Sequence, residues 1–410
     1  MGYNKYVFFG VFLVLSYGLL AGQTFRRPGF HLPQHTRSLK IPVDIQHNVI
    51  LIPVQINGSF EMNFILDTGV KSTILTEPFL SQFLHLDSLV TVKVRGLGEG
   101  NAIDASLAKN VTLGIPGLQA VGMQILVLPD GVISYSGMFG RPVYGIIGYD
   151  IFSEFVVEIN YARKYITLYD PFSYKVKPKF EELPIVLRGG KPYINASLTD
   201  FRGKKITSQW LIDTGSSNAI ALYDRSLPVP EPSIPAFLGK GLSGSVYGRM
   251  ARANEFQLGS FVFQEVIAGY PDPSSLNMIE ADSLWYGNIG SEVLSRFQVI
   301  FDYYRNRIYL RRIAGFNQPF EYNVSGLEIT TEGDNFNKFI IAYVRPKSPA
   351  SLADVRVGDE ILSLNGFDVG SMDITTVYGT LLKRNGKIMV IRVRRGDSVF
   401  KKKFVLVPEI

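Results

Sequence analysis

The chain has 410 residues, of which 46% are hydrophobic and 19% charged, and its formal net charge is +6. This length and composition predict a folded protein of two or three domains. Because the chain has no cysteine, a thiol nucleophile, a disulfide framework and a thiolate-bound metal are excluded. The densest basic spots, at 392–395 and 401–403, lie in alternating strand-like sequence, which favours solvated surface and argues against nucleic acid as a partner.

The N-terminus, residues 1–22, has the pattern of a secretory signal peptide. Lys5 precedes an apolar run over 6–20, and the small residues Ala21 and Gly22 follow it. We expect cleavage near Gly22 and an exported protein, periplasmic or secreted, with no stable membrane span after cleavage. An uncleaved membrane anchor is the alternative, but the run is shorter than the ~20 apolar residues of a spanning helix.

The tripeptide Asp-Thr-Gly occurs twice, at 67–69 and 213–215, each time directly after a hydrophobic run. One copy would commonly be a turn after a strand. Two copies in matching contexts indicate a pair of carboxylates, Asp67 and Asp213. Carboxylates about 3 Å apart cannot both ionise, so such a pair shares one proton and can act as general base and general acid.

The segments after these motifs also repeat. Residues 144–169 align without a gap with 286–311, and 11 of the 26 positions are identical. A glycine-rich stretch lies between motif and repeat in both halves, at 95–100 and at 240–244, and each is predicted to be a mobile hairpin. The chain therefore contains two copies of one lobe.

The predicted secondary structure is mainly β. Strands are expected at 49–56, 63–66, 89–94, 124–127, 155–159, 165–169, 206–212, 261–268, 298–301 and 307–311, with short helices at 77–84, 150–155 and 291–297. Proline-containing segments at 170–184 and 314–325 are expected to link the domains.

Three of the four histidines precede the first Asp-Thr-Gly, and only His85 follows it within the lobes. The sequence therefore offers too few histidines for a histidine-dependent triad or a zinc site. Residues 239–244 match a dinucleotide-binding glycine pattern but lack the helix that should follow it. We therefore expect no cofactor and no metal.

The paired motifs, the glycine-rich hairpins and the Ile-Ile-Gly at 146–148 resemble the retropepsin and pepsin families of aspartic peptidases. The Ser-Pro-Ala at 348–350 and the segment 353–366 resemble a PDZ domain, in which Gly358 and Gly366 would occupy positive-φ turns. Together they are similar to the exported aspartyl peptidases with a PDZ domain found in Bacteroidota. This resemblance implies a two-lobed β fold, with lobes at 40–172 and 183–313 and an α+β PDZ domain at 325–408.

The resemblance also implies roles for residues near the two aspartates. Thr68 and Thr214 would interlock the two loops, while Gly69 and Gly215 let the backbone approach the pair. The Ser216 hydroxyl would support Asp213 and favour its charged form, leaving Asp67 to carry the proton, because the first lobe has Val70 at the matching position. The candidate residues of the hairpins, or flaps, over the site are Gly96, Gly98, Gly241, Gly244 and Tyr247.

The PDZ resemblance implies a groove for peptides. Gly326, Leu327, Glu328 and Ile329 resemble the loop whose N–H groups hold a C-terminal carboxylate, with the segment 374–384 as the groove helix. The chain's own end, Ile410, is a ligand of that kind, although only capture in trans is expected because the tail beyond the last strand is short. Alternatively, the PDZ fold serves only for packing or dimerisation.

Two function classes remain open from the sequence. The first is an endopeptidase that cleaves extended peptides or proteins with water activated between Asp67 and Asp213. The second is a catalytically inactive peptide-binding protein that retains the fold. Val70, the adjacent cation of Lys71 and the lack of a flap tyrosine in the first lobe motivate the second, whereas both intact Asp-Thr-Gly motifs favour the first.

Overall fold

The structure is a computed structural model that describes residues 28–87, 89–224, 227–276, 285–382 and 386–410. The expected signal peptide at 1–22 and the last two residues of the expected groove helix, 383 and 384, lie outside these ranges. The described chain is mainly β, which confirms the predicted fold class.

The first lobe is a nine-stranded sheet with the strand order β1-β9-β6-β10-β5-β4-β8-β7, and β3 pairs with β4. Its strands are β1 (Gly29–Phe30), β3 (Asp44–Gln46), β4 (Val49–Ile56), β5 (Met62–Leu66), β6 (Thr73–Leu75), β7 (Val90–Val94), β8 (Ile103–Ile115), β9 (Leu118–Val127) and β10 (Gly145–Ile147). Its helices are single turns, α1 (Leu80–Phe83), α2 (Ser136–Phe139) and α3 (Tyr149–Phe152).

The second lobe repeats this plan. Its strands are β14 (Lys191–Thr199), β15 (Lys205–Ile212), β16 (Ile220–Leu222), β17 (Ser233–Gly241), β18 (Gly244–Leu258), β19 (Phe261–Pro271) and β20 (Trp285–Ile289), followed by α4 (Ser291–Leu294). A 3-10 helix spans Pro273–Leu276. In both lobes the strand that leads into Asp-Thr-Gly runs parallel to the short strand of the repeat, β5 beside β10 and β15 beside β20.

Six strands join the two lobes into one sheet, in the order β13-β22-β21-β11-β12-β2. They are β2 (Ser38–Pro42), β11 (Val156–Asn160), β12 (Tyr165–Tyr169), β13 (Glu181–Arg188), β21 (Phe297–Asp302) and β22 (Arg307–Arg312). In the central antiparallel pair, Glu158 lies opposite Ile300, which is its own counterpart in the repeat. The pseudo-twofold axis that relates the lobes therefore passes between these two residues.

In its described residues, the C-terminal domain has six strands and two helices. The strands are β23 (Leu327–Glu332), β24 (Lys338–Val344), β25 (Glu360–Leu364), β26 (Phe367–Asp368), β27 (Ile388–Arg395) and β28 (Ser398–Val405), and the helices are α5 (Pro349–Leu352) and α6 (Ile374–Leu381). Asp373 caps α6 because its side chain accepts a hydrogen bond from Thr376 N at 2.7 Å. Gly358 and Gly366 have φ of +86° and +88°, as the turns require.

Some element bounds differ from the prediction. The helices expected at 77–84, 150–155 and 291–297 are single turns, because the chain soon enters the next strand, at Val156 after α3 and at Phe297 after α4. The first linker is shorter than expected, since residues 181–184 pair with β22 instead of remaining free. The alternation of polar and apolar residues along 181–184 does not reveal this pairing, because the partner strand is more than 120 residues away in the sequence.

Candidate active site

The two aspartates occupy equivalent places at the ends of β5 and β15. Asp67 N donates to Ile147 O at 2.8 Å, and Asp213 N donates to Ile289 O at 2.9 Å. The glycine after the short strand is required in the first lobe, because a Cβ on Gly148 would lie 1.9 Å from Asp67 O. The local sequence thus places each carboxyl group at the boundary between the lobes.

Thr68 and Thr214 interlock the two loops. Thr68 N donates to Thr214 Oγ1 at 3.0 Å, and Thr214 N donates to Thr68 Oγ1 at 3.1 Å. Each hydroxyl also donates across the axis, Thr68 to Ile212 O at 2.6 Å and Thr214 to Leu66 O at 2.8 Å. Both threonines are fully buried, so these bonds fix the separation of the two loops from within the protein interior.

The glycines of the motifs allow both carboxyl groups to meet. A Cβ on Gly69 would lie 2.9 Å from Asp67 Oδ1 and 3.4 Å from Asp213 Oδ1. A Cβ on Gly215 would lie 2.5 Å from the Asp67 carboxyl carbon. Any other residue at Gly215 would therefore displace the carboxyl group of Asp67.

Asp213 receives more hydrogen bonds than Asp67. Its Oδ1 accepts from Gly215 N at 3.0 Å and Ser216 N at 3.1 Å, and its Oδ2 accepts from Asn288 Nδ2 at 2.9 Å. Asp67 Oδ1 accepts from Gly69 N at 2.5 Å. The two carboxyl groups therefore have unequal surroundings, with three donors on Asp213 and one on Asp67.

The support for Asp213 is not the one expected from sequence. The donor from Ser216 is its backbone N–H, where the resemblance implied the hydroxyl. Asn288 was not identified from the sequence, although a signal was present, since its counterpart in the repeat is the apolar Ile146. A polar residue in place of a buried isoleucine indicates a partner that only the second lobe provides.

The pKa of Asp67 is raised to about 8. Burial is the main cause, followed by repulsion from Asp213, while the hydrogen bond from Gly69 N acts in the opposite direction. Asp67 is therefore protonated near neutral pH, beside the Asp213 carboxyl group that accepts three hydrogen bonds. A protonated carboxyl group next to a second one can supply the acid of an acid–base pair.

Tyr135 is a further residue near the pair that no sequence motif marked. It is buried in an apolar cluster of the first lobe with Phe139, and Val70 and Leu242 pack against that cluster. Burial and the negative charges of Asp67 and Asp213 raise the pKa of its hydroxyl well above the usual range. Tyr135 is therefore a neutral hydroxyl in the wall beside the two aspartates.

Two hairpins meet tip to tip. The first flap, β7–β8, has its tip at 95–102, and the second flap, β17–β18, turns at 242–243. Gly100 N donates to Ser243 O at 2.7 Å, and Ser243 N donates to Leu97 O at 3.0 Å. Glycine is needed at this crossing, because a Cβ on Gly96 would lie 2.4 Å from Leu242 Cβ and a Cβ on Gly241 would lie 2.1 Å from Leu97 O.

The other flap candidates lie at different distances from this crossing. A Cβ on Gly98 would lie 2.6 Å from Gly244 N, so these two glycines also form part of the contact. Tyr247 lies further down the second flap, with its ring 5.6 Å from Phe237 and 6.0 Å from Tyr343 of the C-terminal domain. The structure therefore places Tyr247 in an aromatic cluster with Phe237 and Tyr343.

The loop proposed to hold a peptide carboxylate contains an acidic side chain. Gly326 has φ of +82° and lies against Ser348, and the N–H of Leu327 donates to the Ser325 hydroxyl at 3.3 Å. Glu328 Oε2 accepts from the Tyr378 hydroxyl at 2.9 Å, and burial raises the pKa of Glu328 to about 7. Ionised Glu328 would repel an incoming carboxylate.

The chain's own tail packs against Tyr322 and Arg345 of its domain, a contact different from the groove capture considered from the sequence. The N–H groups of Glu409 and Ile410 donate to the Tyr322 hydroxyl at 2.6 and 3.1 Å, and Glu409 pairs with Arg345. Tyr322 precedes the Gly326–Ile329 loop in the sequence, so the tail contacts the segment that leads into that loop. The tail therefore anchors the start of the domain.

Within the described ranges, no group of three or more His, Asp or Glu side chains is placed to hold a metal ion. Across the same residues, none of the helices is both long and apolar enough to cross a membrane.

Two lobes that share one sheet and interlock their Asp-Thr-Gly loops define an aspartic-peptidase-like fold. Residues 52–151 match the family described as aspartyl protease, and residues 340–395 match the PDZ domain family. The chain therefore contains an aspartyl protease domain and a C-terminal PDZ domain, as the sequence predicted.

The other comparisons add little. No curated protein matches the chain. One similar solved structure is the photosystem II D1 C-terminal processing protease, with 21% identity and a TM-score of 0.19. The match covers 20% of this chain and 22% of that one, so it carries no argument about function.

Proposed function

We propose that this protein is an aspartic endopeptidase that hydrolyses extended peptides or proteins. The observation that carries the proposal is the unequal pair of aspartates across the interlocked loops. Asp213 holds three hydrogen-bond donors, whereas the pKa of Asp67 is raised to about 8. This asymmetry supports a definite assignment of base and acid.

In the proposed reaction, ionised Asp213 takes a proton from a water molecule held between the two carboxyl groups. The resulting hydroxide attacks the peptide carbonyl, and protonated Asp67 donates its proton to the carbonyl oxygen. The proton on Asp213 then passes to the leaving nitrogen as the C–N bond breaks, and one hydroxyl of the tetrahedral intermediate returns its proton to Asp67 as the carboxyl product forms. No metal or cofactor is required, because the water is activated by proton transfer.

The flaps support an extended substrate. A peptide between the dyad and the crossed tips would be enclosed by both lobes, and closed flaps would exclude bulk water from the reacting bond. We further propose that the protein is exported, from its N-terminal signal pattern, and that protein or peptide chains are its substrates. Sequencing the N-terminus of the mature protein tests export: a start near Gln23 is expected, and retention of Met1 contradicts it.

A catalytically inactive peptide-binding protein is the second candidate, favoured by Val70, whose side chain packs into the apolar cluster of the first lobe and offers the dyad no hydroxyl. Digestion of a diverse peptide mixture between pH 3 and 8 separates the two. We expect cleavage by the wild type and none by Asp67→Asn. Peptide binding by both proteins, with cleavage by neither, would favour the second candidate.

A further inference from the structure

The PDZ domain packs on the first lobe through the edge of its groove strand, β23. Thr331 Oγ1 donates to Gly137 O in α2 at 2.9 Å. The close contact between α2 and β23 requires glycine at position 137, because a Cβ on Gly137 would lie 2.4 Å from Thr330 Oγ1 and 2.9 Å from Thr331 O. One turn further, a Cβ on Gly140 would lie 3.1 Å from Ile374 Cγ2 in α6. The segment 136–140 thus lies against both sides of the groove.

On the side of β23 that does not pair with β24, a side chain of the PDZ domain itself contacts the backbone of Ile329. The Tyr378 hydroxyl on α6 accepts from Ile329 N at 3.1 Å and lies 3.2 Å from Ile329 O. A peptide that adds a strand to this edge needs those same backbone groups. His47 of the first lobe packs against the Tyr378 ring, with 4.9 Å between ring centroids, and keeps it in the groove.

The same domain also contacts the second flap. Phe237 and Tyr247 lie directly opposite each other on β17 and β18, just before the strands reach the tip. The ring of Tyr343, on β24, lies 6.3 Å from Phe237 and 6.0 Å from Tyr247. The PDZ domain therefore contacts the wall of the first lobe and the stem of the second flap at once.

We propose that the PDZ groove is an intramolecular docking surface whose occupant is the segment 136–140 of the first lobe, and that the docked domain holds the second flap closed. The groove strand is anchored on α2, the neighbouring strand carries Tyr343, and Tyr343 contacts the flap stem. A contact that exists only when the flap is closed stabilises the closed state, and its loss shifts the population towards open flaps.

This arrangement also explains the acidic loop of the domain. Glu328 accepts the hydrogen bond from the hydroxyl of Tyr378, which holds that ring over Ile329. Because α2 follows Tyr135 directly and carries Phe139 into the apolar cluster, the docked segment also belongs to the wall of the proposed cleft. The inference rests on the proposed function only in treating the flap as the gate of that cleft.

Hydrogen exchange of residues 238–246 tests the latch in the full chain. The background is Asp67→Asn, so that the result does not depend on peptidase activity. Tyr343→Ala removes the ring from the flap stem and is expected to speed exchange at the tip roughly three- to tenfold, since one aromatic contact pair contributes about that factor. Tyr304→Ala, which removes an exposed ring in the turn between β21 and β22, is the control and should leave the flap unchanged. Equal flap exchange in all three proteins would overturn the latch.

A second measurement tests the occupant. Gly137→Ala places a Cβ in the interface, whereas Gly379→Ala adds one on α6 where it meets no atom within 4 Å. By calorimetry, a peptide ending in Ile should bind the full chain at least about tenfold more tightly after Gly137→Ala than in the wild type or Gly379→Ala. Equally tight binding to all three would show that segment 136–140 does not occupy the groove. No binding even to Gly137→Ala, together with unchanged flap exchange in that variant, would contradict docking as well.

Discussion

Leu97 and Leu242 hold equivalent places in the two flaps, and each crosses to the opposite lobe. Leu97 packs against Ala221, Tyr223 and Leu276 of the second lobe, whereas Leu242 packs against the apolar cluster of the first lobe. Each flap thus buries one leucine side chain in the opposite lobe, and backbone hydrogen bonds at Ser243 join the two tips. Opening the proposed cleft therefore requires both leucines to leave their pockets.

Leu242→Ala should weaken flap closure. The smaller side chain loses part of its burial in the first lobe, at a cost of about 1–2 kcal/mol. We expect a severalfold increase in KM for peptide substrates, because the closed complex becomes less populated. Steady-state kinetics measures this, with Leu352→Ala as the control, since Leu352 is 80% exposed in the PDZ domain. An unchanged KM would show that the crossed tips do not limit substrate binding.

Each aspartate should be indispensable for turnover. Asp67→Asn or Asp213→Asn leaves the shape of the site but removes the shared proton, so kcat should fall at least about 100-fold. The control is Asp397→Asn, in the turn between β27 and β28. A dyad variant that keeps more than about a tenth of wild-type kcat, with contaminating protease excluded, would contradict the proposed mechanism.

Asn288 should contribute to turnover. Its amide donates to Asp213 Oδ2 at 2.9 Å, and Asn288→Ala removes that donor. We expect kcat/KM to fall roughly five- to tenfold, because one hydrogen bond contributes about 1–1.5 kcal/mol. Asn254→Ala, which removes an exposed contact with Asp200 O, is the control for loss of an asparagine amide. An unchanged kcat/KM in Asn288→Ala would assign no role to this amide.

Stability should fall with rising pH because of Asp67. Its pKa is about 8 in the folded protein and about 3.9 in an unfolded chain, so between these values the folded state retains a proton that the unfolded state has lost. The free energy of unfolding then decreases as pH rises through this window, with a slope of at most about 1.4 kcal/mol per pH unit.

Chemical denaturation of the wild type and Asp67→Asn from pH 4 to 8 isolates this effect. Glu292 and Glu328, whose pKa values are raised to about 7, act in the same direction in both proteins and therefore cancel in the difference. The variant should show the shallower decline. Parallel curves for the two proteins would mean that Asp67 is ionised in the folded state.

The interlock should contribute strongly to stability. Thr68→Val deletes the donor to Ile212 O and the acceptor of Thr214 N, leaving two buried backbone groups without partners. We expect a loss of about 2–4 kcal/mol in the free energy of unfolding, together with loss of activity. Thr207→Val, which breaks an exposed hydroxyl pair with Ser197, should cost less than about 1 kcal/mol. Equal losses in both variants would contradict the role of the buried interlock.

Much of the fold could be predicted because it is encoded locally or by the repeat. The strands at Val49–Ile56 and Tyr165–Tyr169 have the predicted bounds, since β-branched and aromatic residues with nearby turns mark them. The mainly β fold and both domain families are confirmed. The domain bounds and the catalytic roles of Asp67 and Asp213 stay predictions, although the structure brings the two carboxyl groups together.

The sequence by itself determined the pairing of two Asp-Thr-Gly motifs, the glycines at which no Cβ fits and the duplication of the lobe. Only the tertiary structure decided that Asn288 donates to Asp213, that Leu97 and Leu242 pack on the opposite lobes, and that α2 packs against β23. These contacts join segments 75 to about 200 residues apart. No local period or spacing specifies such a contact, because it depends on how whole sheets pack against one another.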